Sequence, residues 1–366
     1  MAFPSASAPV VIARDTLRVL VVDDSAYMRH VISKHLSEAP GLAVVGAARN
    51  GLEALSLIET LNPDVVTLDI EMPELDGLAT LRHIMAHSPR PVLMLSSRTT
   101  EGAYETMRAL TWGAVDFVAK PANRANIAVV MDEVIAKVRL AAQTRLRPAA
   151  AKSTGPLRVE ADNRPPTRAT ARPLRNRDKV VVIGASTGGP RALSEVMAHL
   201  PADLPATMLI VQHMPAGFTP ALAERLNEIS PLRVQEAKTG DTLEVGCALL
   251  APGGFHMILD AQDRIALNKN PTVHGVRPSV DVTMAAVAQR FGDAAVGVVL
   301  TGMGSDGTQG AAIIRAMGGR ILAEAESSSV VWGMPRSVIE AGHAHEVIAL
   351  TDMAQHIVQM VRRNAR

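Results

Sequence analysis

Residues 17 to 24 read Leu17-Arg18-Val19-Leu20-Val21-Val22-Asp23-Asp24, an apolar run that ends in two adjacent carboxylates. A second apolar run, residues 64–68, ends at Asp69, and a third is followed by Lys120-Pro121. Short apolar runs that alternate with helical patterns predict βαβ units and a parallel sheet. Because ligands bind at the carboxyl ends of such strands, these acids and the lysine are expected at one phosphate-accepting site.

The alternation of strand and helix patterns extends along most of the chain. In the first part, it predicts strands at 17–22, 43–48, 64–68, 91–95 and 114–118 and helices at 27–38 and 51–61. In the second part, it predicts strands at 180–183, 207–212, 247–251, 295–300 and 319–323 and a hairpin formed by 257–259 and 265–267. We therefore expect two α/β domains, at 16–140 and 179–366, the second doubly wound and mostly parallel. Residues 141–178 are basic, proline-rich and poor in large apolar side chains, so they are interpreted as a flexible linker.

Composition narrows the class of protein further. The formal net charge of the 366 residues is +1, which gives no general case for nucleic-acid binding. The single cysteine, Cys247, fits a reducing compartment. No apolar run approaches the roughly 20 residues that span a bilayer, and residues 1–14 lack the basic start of a signal peptide. We expect a cytoplasmic monomer without membrane insertion.

The acids at the strand ends of the first part predict a metal-assisted phosphoryl acceptor. Asp23, Asp24 and Asp69 would repel one another and attract a hard divalent cation, most plausibly Mg²⁺. Such a cation bridges to a phosphoryl group in transfer to a carboxylate. Lys120 would pair with the anion, and Ser96, at the end of the fourth run, would hydrogen-bond a phosphoryl oxygen. Any one acid alone would be interpreted as a helix cap or a solvated loop residue.

This part of the chain resembles the response-regulator receiver domain over about residues 16–140. The resemblance rests on Val22-Asp23-Asp24-Ser25, Leu68-Asp69-Ile70-Glu71-Met72-Pro73-Glu74-Leu75-Asp76-Gly77, Leu95-Ser96-Ser97 and Asp116-Phe117-Val118-Ala119-Lys120-Pro121. It implies a flavodoxin-like (βα)5 fold and phosphorylation of Asp69 by a histidine kinase. It also implies Asp23 and Asp24 as metal-binding acids and Ser96, Phe117 and Lys120 as switch residues.

The second part contains a candidate nucleophile on a turn. Gly184-Ala185-Ser186-Thr187-Gly188 follows a strand and fits G-x-S-x-G, which presents a serine nucleophile. Alone, this pattern equally describes a glycine-rich turn with a capping serine. His213 and Asp306 follow two other strands, however, and would serve as the base and its orienting acid. The backbone N–H groups near Thr187 and Met303 are candidate oxyanion donors. The order Ser, His, Asp differs from that of the α/β-hydrolases.

Some residues of this part admit another interpretation. Residues 302–307 fit G-x-G-x-x-G, with Glu324 about twenty residues on, as in a dinucleotide fingerprint. The motif lies far into the domain rather than at its first βα turn, which argues against that function. His256 and Arg277 are interpreted as loop-bracing residues in preference to catalytic ones.

The second part resembles the CheB family of chemotaxis receptor methylesterases. The matching motifs are Ile183-Gly184-Ala185-Ser186-Thr187-Gly188-Gly189-Pro190, Gln212-His213-Met214-Pro215, Arg277-Pro278-Ser279-Val280-Asp281, Leu300-Thr301-Gly302-Met303-Gly304-Ser305-Asp306-Gly307 and Gly333-Met334-Pro335. One departure is visible at residues 323–327, where Glu324 stands in place of the family's usual glutamine. It lies outside the triad and is a candidate for substrate contact.

The family resemblance implies an activity and its partners. Ser186 would be the nucleophile, His213 the base and Asp306 the orienter in hydrolysis of glutamate methyl esters and deamidation of glutamines. The substrates would be methyl-accepting chemotaxis receptors, and the esterase chemistry would need no cofactor. The receiver is expected to occlude the catalytic cleft until Asp69 is phosphorylated. The alternative is a phosphorylation-switched, non-catalytic signalling module. A DNA-binding output is disfavoured because no basic helix-turn-helix pattern follows the linker.

Overall fold

The computed structural model describes residues 16–97, 99–121, 126–144, 168–175 and 178–362, which form two compact units. Residues 1–14, whose sequence argues against a signal peptide, lie outside the described residues. So does most of the predicted linker, residues 145–167 and 176–177. No helix among the described residues combines the length and the hydropathy that crossing a bilayer requires.

The first sheet has five strands in the order β2-β1-β3-β4-β5. The elements are β1 Leu17–Val22, α1 Ala26–Glu38, β2 Leu42–Ala48, α2 Gly51–Leu61, β3 Val65–Asp69, α3 Gly77–His87, β4 Val92–Ser96, α4 Thr100–Thr111, β5 Asp116–Ala119 and α5 Ile127–Gln143. Strand β1 pairs in parallel with β2 and β3, and β3 with β4. This is the flavodoxin-like order, in which the ligand crevice opens between β1 and β3. The predicted (βα)5 fold is confirmed.

Local sequence explains the helix starts of this unit. The side chains of Ser25, Asn50, Asp76 and Thr99 each accept a hydrogen bond from a backbone N–H in the first turn of the following helix. Such caps satisfy donors that the helix leaves unpaired. The strands β3 and β4 are buried along their whole length, as expected of parallel strands covered by helices on both faces.

The second sheet has seven strands in the order β16-β15-β14-β7-β8-β11-β9. Its strands are β7 Lys179–Ala185, β8 Ala206–Gln212, β9 Arg233–Glu236, β11 Cys247–Leu250, β14 Ala295–Val299, β15 Arg320–Glu324 and β16 Glu346–Ile348. The helices are α6 Gly189–Ala198, α7 Thr219–Ile229, α8 Val280–Phe291, α9 Thr308–Ala316, α10 Met334–Glu340 and α11 Leu350–Arg362. All neighbouring strands run parallel, where a mostly parallel sheet was predicted.

Strand order sets the position of the functional crevice. The chain starts this sheet at the central strand β7 and builds β8, β11 and β9 on one side. It then returns to the other side of β7 to build β14, β15 and β16. The order therefore reverses between β7 and β14, and the crevice of a doubly wound sheet opens at the carboxyl ends of such strands.

The structure adds elements that the sequence did not indicate. Strands β9 and β16 lie at the two edges of the sheet, and their partly exposed residues lack a buried apolar run. The predicted hairpin is present as β12 His256–Leu259 paired antiparallel with β13 Ile265–Asn268.

Both ends of residues 141–178, which were interpreted from the sequence as a flexible linker, contain regular structure. Residues 141–143 continue α5. Strand β6, Arg172–Pro173, pairs antiparallel with β10, Glu244–Val245. The side chain of Arg172 also forms an ion pair with Asp178, with Nη1 2.6 Å from Oδ2. A two-residue strand that is stabilised by a distant partner has no local apolar pattern from which it could be predicted.

Candidate active site and phosphoryl-acceptor site

Ser186 and His213 lie side by side because their strands end in register. Ser186 follows β7 and His213 follows β8, and the last residues of these strands, Ala185 and Gln212, are pairing partners. Neighbouring parallel strands lie about 4.8 Å apart. The N–H of His213 donates to the carbonyl of Ala185 at 3.0 Å, and that of Ser186 donates to the carbonyl of Thr301 at 3.0 Å.

His213 and Asp306 form a direct hydrogen bond, with Nε2 2.7 Å from Oδ2. The bond is shielded from water, since the side chains of His213 and Asp306 are 9% and 2% exposed. Because Nε2 faces the carboxylate, Nδ1 is the nitrogen left for the Ser186 hydroxyl. Ser186 Oγ has no hydrogen-bond partner among the residues that the structure describes. Hydrogen bonds of this kind commonly tighten only when substrate binds.

The Asp306 carboxylate is held by hydrogen-bond donors from two helix starts. It accepts bonds from His213 Nε2, from Ser279 Oγ and from the N–H groups of Val280, Asp281 and Gly307. Burial opposes its ionisation, but the bond and charge of His213 and the N–H groups of Asp281 and Val280 outweigh that cost. They hold the pKa of Asp306 at about 2. The start of α8 therefore keeps this carboxylate charged and oriented, a function that the sequence pattern did not reveal.

Asp281 connects the starts of α8 and α9. Its carboxylate accepts from the N–H groups of Gly307 at 2.9 Å and Gly310 at 2.7 Å, and it lies 3.0 Å from His274 Nε2. Burial raises the pKa of this carboxyl group. His274, Asp281 and Asp306 lie close enough together to suggest a metal site. Hydrogen-bond donors from the backbone and from side chains already occupy their carboxylate oxygens, so the cluster is better explained as support for Asp306.

The predicted oxyanion donors, the N–H groups of Thr187 and Met303, lie in two turns that pack closely together. Neither the Thr187 N–H nor the Met303 N–H donates to an acceptor within the described part of the chain, and their role as oxyanion donors stays a prediction. Gly302 packs directly against Ser186, because a Cβ placed there would lie 2.7 Å from Ser186 Cβ. A glycine is therefore needed where these two turns approach each other.

The secondary candidates have structural surroundings. His256 is 1% exposed, and its Nε2 lies 3.0 Å from the Pro271 carbonyl oxygen. Arg277 Nη1 donates to the carbonyls of Lys269 at 2.9 Å and Asn270 at 2.8 Å. Both residues brace loops, in line with the interpretation made from the sequence.

Glu324 is fully buried, so it cannot contact a protein substrate, and that expectation is wrong. It is likewise closed to the ribose of a dinucleotide. Its Oε2 accepts the Thr301 N–H at 2.8 Å, and its Oε1 accepts the Ser328 hydroxyl at 3.0 Å. Burial raises the pKa of Glu324 against these hydrogen bonds. The residue supports the turn that receives the Ser186 N–H.

Glu324→Gln should stabilise the unit that contains it at pH 7 to 8. A raised folded-state pKa means that the neutral acid favours folding, and this contribution is lost as pH rises through the folded pKa. Glutamine stays neutral, and its amide can donate to Ser328 Oγ while that hydroxyl donates to the Ala325 carbonyl, 3.2 Å away. We expect Tm to rise by about 2–4 °C, the shift that about 1 kcal/mol produces in a domain of this size.

Thermal unfolding measured from pH 4 to pH 8 tests this expectation. The gain should disappear near pH 4, where an unperturbed glutamate is itself largely protonated. Glu340→Gln, at an exposed glutamate paired with Arg336, is the matched control and should show no such gain. A variant that is less stable than wild type at pH 8 would contradict the account of Glu324.

The acids of the first unit converge on one lysine. Lys120 Nζ lies 2.6 Å from Asp69 Oδ2 and 2.9 Å from Asp23 Oδ2. Burial raises the pKa of Asp69 to about 6, with Lys120 opposing the rise and Asp23 adding to it. Asp23, Asp24 and Asp69 each offer an oxygen within 4.8 Å of the others. Three carboxyl groups that lie this close together provide the oxygen ligands that Mg²⁺ prefers. Burial makes one of them, Asp69, costly to ionise.

The two remaining switch candidates are buried at strand ends. Ser96 closes β4, and its hydroxyl donates to the Gly102 carbonyl at 3.1 Å and accepts from Thr106 Oγ1 at 2.7 Å. It would have to leave these bonds to reach a phosphoryl oxygen. Phe117 lies in β5 and is 3% exposed. Their roles as switch residues stay predictions.

The parallel fold and acidic cluster of the first unit are typical of a response-regulator receiver, and the second unit places Ser186 beside a buried pair of His213 and Asp306. Residues 19–132 match the response regulator receiver domain, and residues 181–357 match the CheB methylesterase family. The protein-glutamate methylesterase/protein-glutamine glutaminase of Symbiobacterium thermophilum is 51% identical over 94% of this chain and 97% of its own. That of Geobacillus kaustophilus is 46% identical over 94% and 99%. The chain therefore belongs to the CheB methylesterase family, as its motifs predicted.

A solved structure is similar to half of the chain. The Thermotoga maritima CheB methylesterase catalytic domain is 43% identical, covers 50% of this chain and 99% of its own, and gives a TM-score of 0.49. The family matches fall within the predicted domains 16–140 and 179–366, whose limits stay predictions.

Proposed function

We propose that this enzyme hydrolyses glutamate methyl esters, and deamidates glutamines, on methyl-accepting chemotaxis receptors under the control of phosphorylation at Asp69. The observation that carries the proposal is the buried 2.7 Å bond between His213 and Asp306 beside Ser186. Relatives that match nearly the whole chain are protein-glutamate methylesterases/protein-glutamine glutaminases, which supports the substrate class.

The first half of the reaction forms an acyl-enzyme. Ser186 Oγ attacks the side-chain carbonyl carbon of the methylated glutamate while His213 Nδ1 takes its proton. Asp306 stabilises the imidazolium that forms, and its low pKa keeps it charged. The N–H groups of Thr187 and Met303 donate to the developing oxyanion. The C–O bond to the methoxy group then breaks, and the leaving oxygen takes the proton from His213 to depart as methanol.

The second half of the reaction hydrolyses the acyl-enzyme and regenerates free Ser186. A water molecule gives a proton to His213 and attacks the acyl carbon, and the bond to Ser186 Oγ breaks as that oxygen recovers the proton. The product is free glutamate. With a glutamine side chain, the same route protonates the amide nitrogen, and ammonia leaves in place of methanol.

Control lies in the first unit. Asp69 is the proposed phosphoryl acceptor from a histidine kinase, and Asp23, Asp24 and Asp69 would hold Mg²⁺. The cation would neutralise charge on the phosphoryl group in transfer. Lys120 would then pair with the phosphoryl oxygens, and Ser96 would exchange its bonds to α4 for one to the phosphoryl group. Phosphorylation would shift the enzyme toward its active state and relieve an inhibition by the receiver.

Asp69→Asn should remove the response to phosphodonor without removing hydrolysis. Wild-type protein mixed with methylated receptor cytoplasmic fragments should release methanol, and release should accelerate with a small phosphodonor and Mg²⁺. The asparagine variant should release methanol at one basal rate in both conditions, because it has no carboxylate to accept the phosphoryl group. Glu59→Gln, at an exposed acid of α2, should retain the acceleration.

The outcomes separate the two parts of the proposal. Absence of methanol from every methylated receptor fragment, with or without phosphodonor, would contradict the esterase function and favour the non-catalytic module. Equal acceleration of the Asp69→Asn variant would contradict the phosphorylation site alone.

A further inference from the structure

Gln212 is a buried polar residue that the reaction does not use. It is the last residue of β8, directly before His213, and it is 2% exposed. Its side-chain Nε2 donates to the Ser186 carbonyl at 2.8 Å and to the His213 carbonyl at 3.1 Å. One amide group therefore joins the main chains of the proposed nucleophile and the proposed base.

The chemistry of this bridge selects glutamine. Two carbonyl oxygens need two donors from one uncharged group, and a side-chain amide NH₂ supplies them. The opposite amide orientation would direct an oxygen at both carbonyls, so the hydrogen bonds determine the assignment. Glutamate could not donate, and lysine would bury a positive charge at the end of the strand.

The chain also makes room for this amide. A Cβ at Gly189, the first residue of α6, would lie 1.9 Å from Gln212 Oε1 and 2.9 Å from Ala185 Cβ. The absence of a side chain at Gly189 thus leaves the space that the Gln212 amide fills. The Gly189 N–H donates to the Ser186 carbonyl at 2.8 Å, the same oxygen that Gln212 contacts. The amide is held between the nucleophile turn and the start of α6.

We infer that Gln212 is a positioning residue that sets the separation of Ser186 and His213. Removal of its two hydrogen bonds frees the His213 carbonyl and leaves the Ser186 carbonyl with the Gly189 N–H as its donor. A shift of about 1 Å between reacting groups lowers rates by about 10²-fold. We expect the effect on the chemical step, because Gln212 is buried and its amide contacts the main chains of Ser186 and His213.

Gln212→Met tests this inference, since methionine has similar length and no donor. We expect kcat for methanol release to fall by about 10–100-fold, with KM within about 2-fold of wild type. The rate at which a serine-reactive phosphonate labels Ser186 should fall in parallel. The inference rests on the proposed function, so wild-type methanol release is measured first, and its absence would overturn both.

Thr207→Val is the matched control on the same strand. Thr207 is fully buried near the other end of β8, and its hydroxyl donates to the Cys247 carbonyl at 3.4 Å. The change also removes one buried donor from β8, but far from the catalytic turn, and kcat should stay within about 2-fold. An equal fall in kcat for both variants would show general loosening of the strand and overturn the inference.

Gly189→Ala approaches the same amide from the opposite side. Its Cβ would displace Gln212 while leaving the glutamine chemistry in place, so kcat should again fall and KM should not. This variant also serves if Gln212→Met fails to fold. Wild-type kcat in either folded variant, within about 2-fold, would overturn the positioning role while leaving the proposed function intact.

Discussion

Ser186→Ala should lower kcat for methanol release by about 10⁴–10⁶-fold, the size of loss expected when the nucleophile of a serine triad is removed. Without Oγ, no acyl-enzyme forms, and the remaining rate comes from substrate binding and the oxyanion donors. Stability should change little, within about 0.5 kcal/mol. The hydroxyl has no hydrogen-bond partner among the described residues, and alanine keeps the Cβ that packs against Gly302.

Methanol release and thermal unfolding of the same preparation check both parts. Ser194→Ala is the control, because Ser194 lies in α6 and its hydroxyl donates to the Pro190 carbonyl at 2.7 Å. That variant should keep full activity. If Ser186→Ala retained a tenth of the wild-type rate while properly folded, Ser186 would not be the nucleophile.

Asp306→Asn should lower kcat by about 10⁴-fold, as expected when the orienting acid of a triad becomes an amide and favours the wrong imidazole tautomer. It should also destabilise the protein. The carboxylate accepts bonds from His213, Ser279 and three backbone N–H groups, whereas an asparagine directs its own NH₂ at some of these donors.

The pH dependence of this destabilisation separates the charge effect from simple loss of packing. Because the folded pKa of Asp306 is depressed to about 2, its ionic contribution is present above the unfolded pKa and is lost as pH falls toward 2. A shift from 3.8 to about 2 corresponds to about 2.5 kcal/mol at neutral pH. The difference in unfolding free energy between wild type and Asp306→Asn should therefore shrink between pH 4 and pH 2.

Asp352→Asn, at an exposed acid in the first turn of α11, is the control and should show neither the loss of activity nor this pH dependence. Wild-type kcat in a folded Asp306→Asn variant would contradict the proposed role of Asp306. A stability difference that stays constant down to pH 2 would contradict the low pKa.

Residues from several parts of the second unit support the turns that contain Ser186 and Asp306. Asp306 receives donors from the start of α8, the Ser186 N–H is received by Thr301, and Thr301 is held by Glu324 at the end of β15. The fully parallel sheet makes this possible because Thr301 and Glu324 follow or end strands at the same edge as Ser186. A serine on a flexible loop would have no comparable support.

Much of this architecture was readable from local pattern. Buried parallel strands are continuous apolar runs, so β1, β3, β7, β8 and β14 were each predicted to within a few residues. A polar residue directly after such a run lies at the functional edge, which is why Asp69, Ser186 and His213 could be singled out. The glycines of the G-x-S-x-G pattern, residues 184–188, also indicated the turn between a strand and a helix that contains Ser186.

The edge strands and the linker ends show where local pattern fails. Most residues of strand β9 are exposed or partly exposed, so it contains no continuous apolar run. Strand β6 forms because Glu244–Val245 pairs with it. A segment with no apolar run of its own adopts strand structure only when its partner supplies the hydrogen bonds. Its conformation is therefore decided by a residue elsewhere in the chain.

The same limit applies to the support of the site. Asp306 could be named as an acid after a strand, but its five donors depend on α8 starting against the α9 turn. The sequence motif around His213 indicates no role for Gln212. Its role follows from the position of its amide between the Ser186 and His213 carbonyls. Glu324 was a candidate for substrate contact and is buried. Residue types and strand ends follow from short-range periodicity, whereas hydrogen-bond partners distant in sequence are chosen only when the packed sheet brings them within reach.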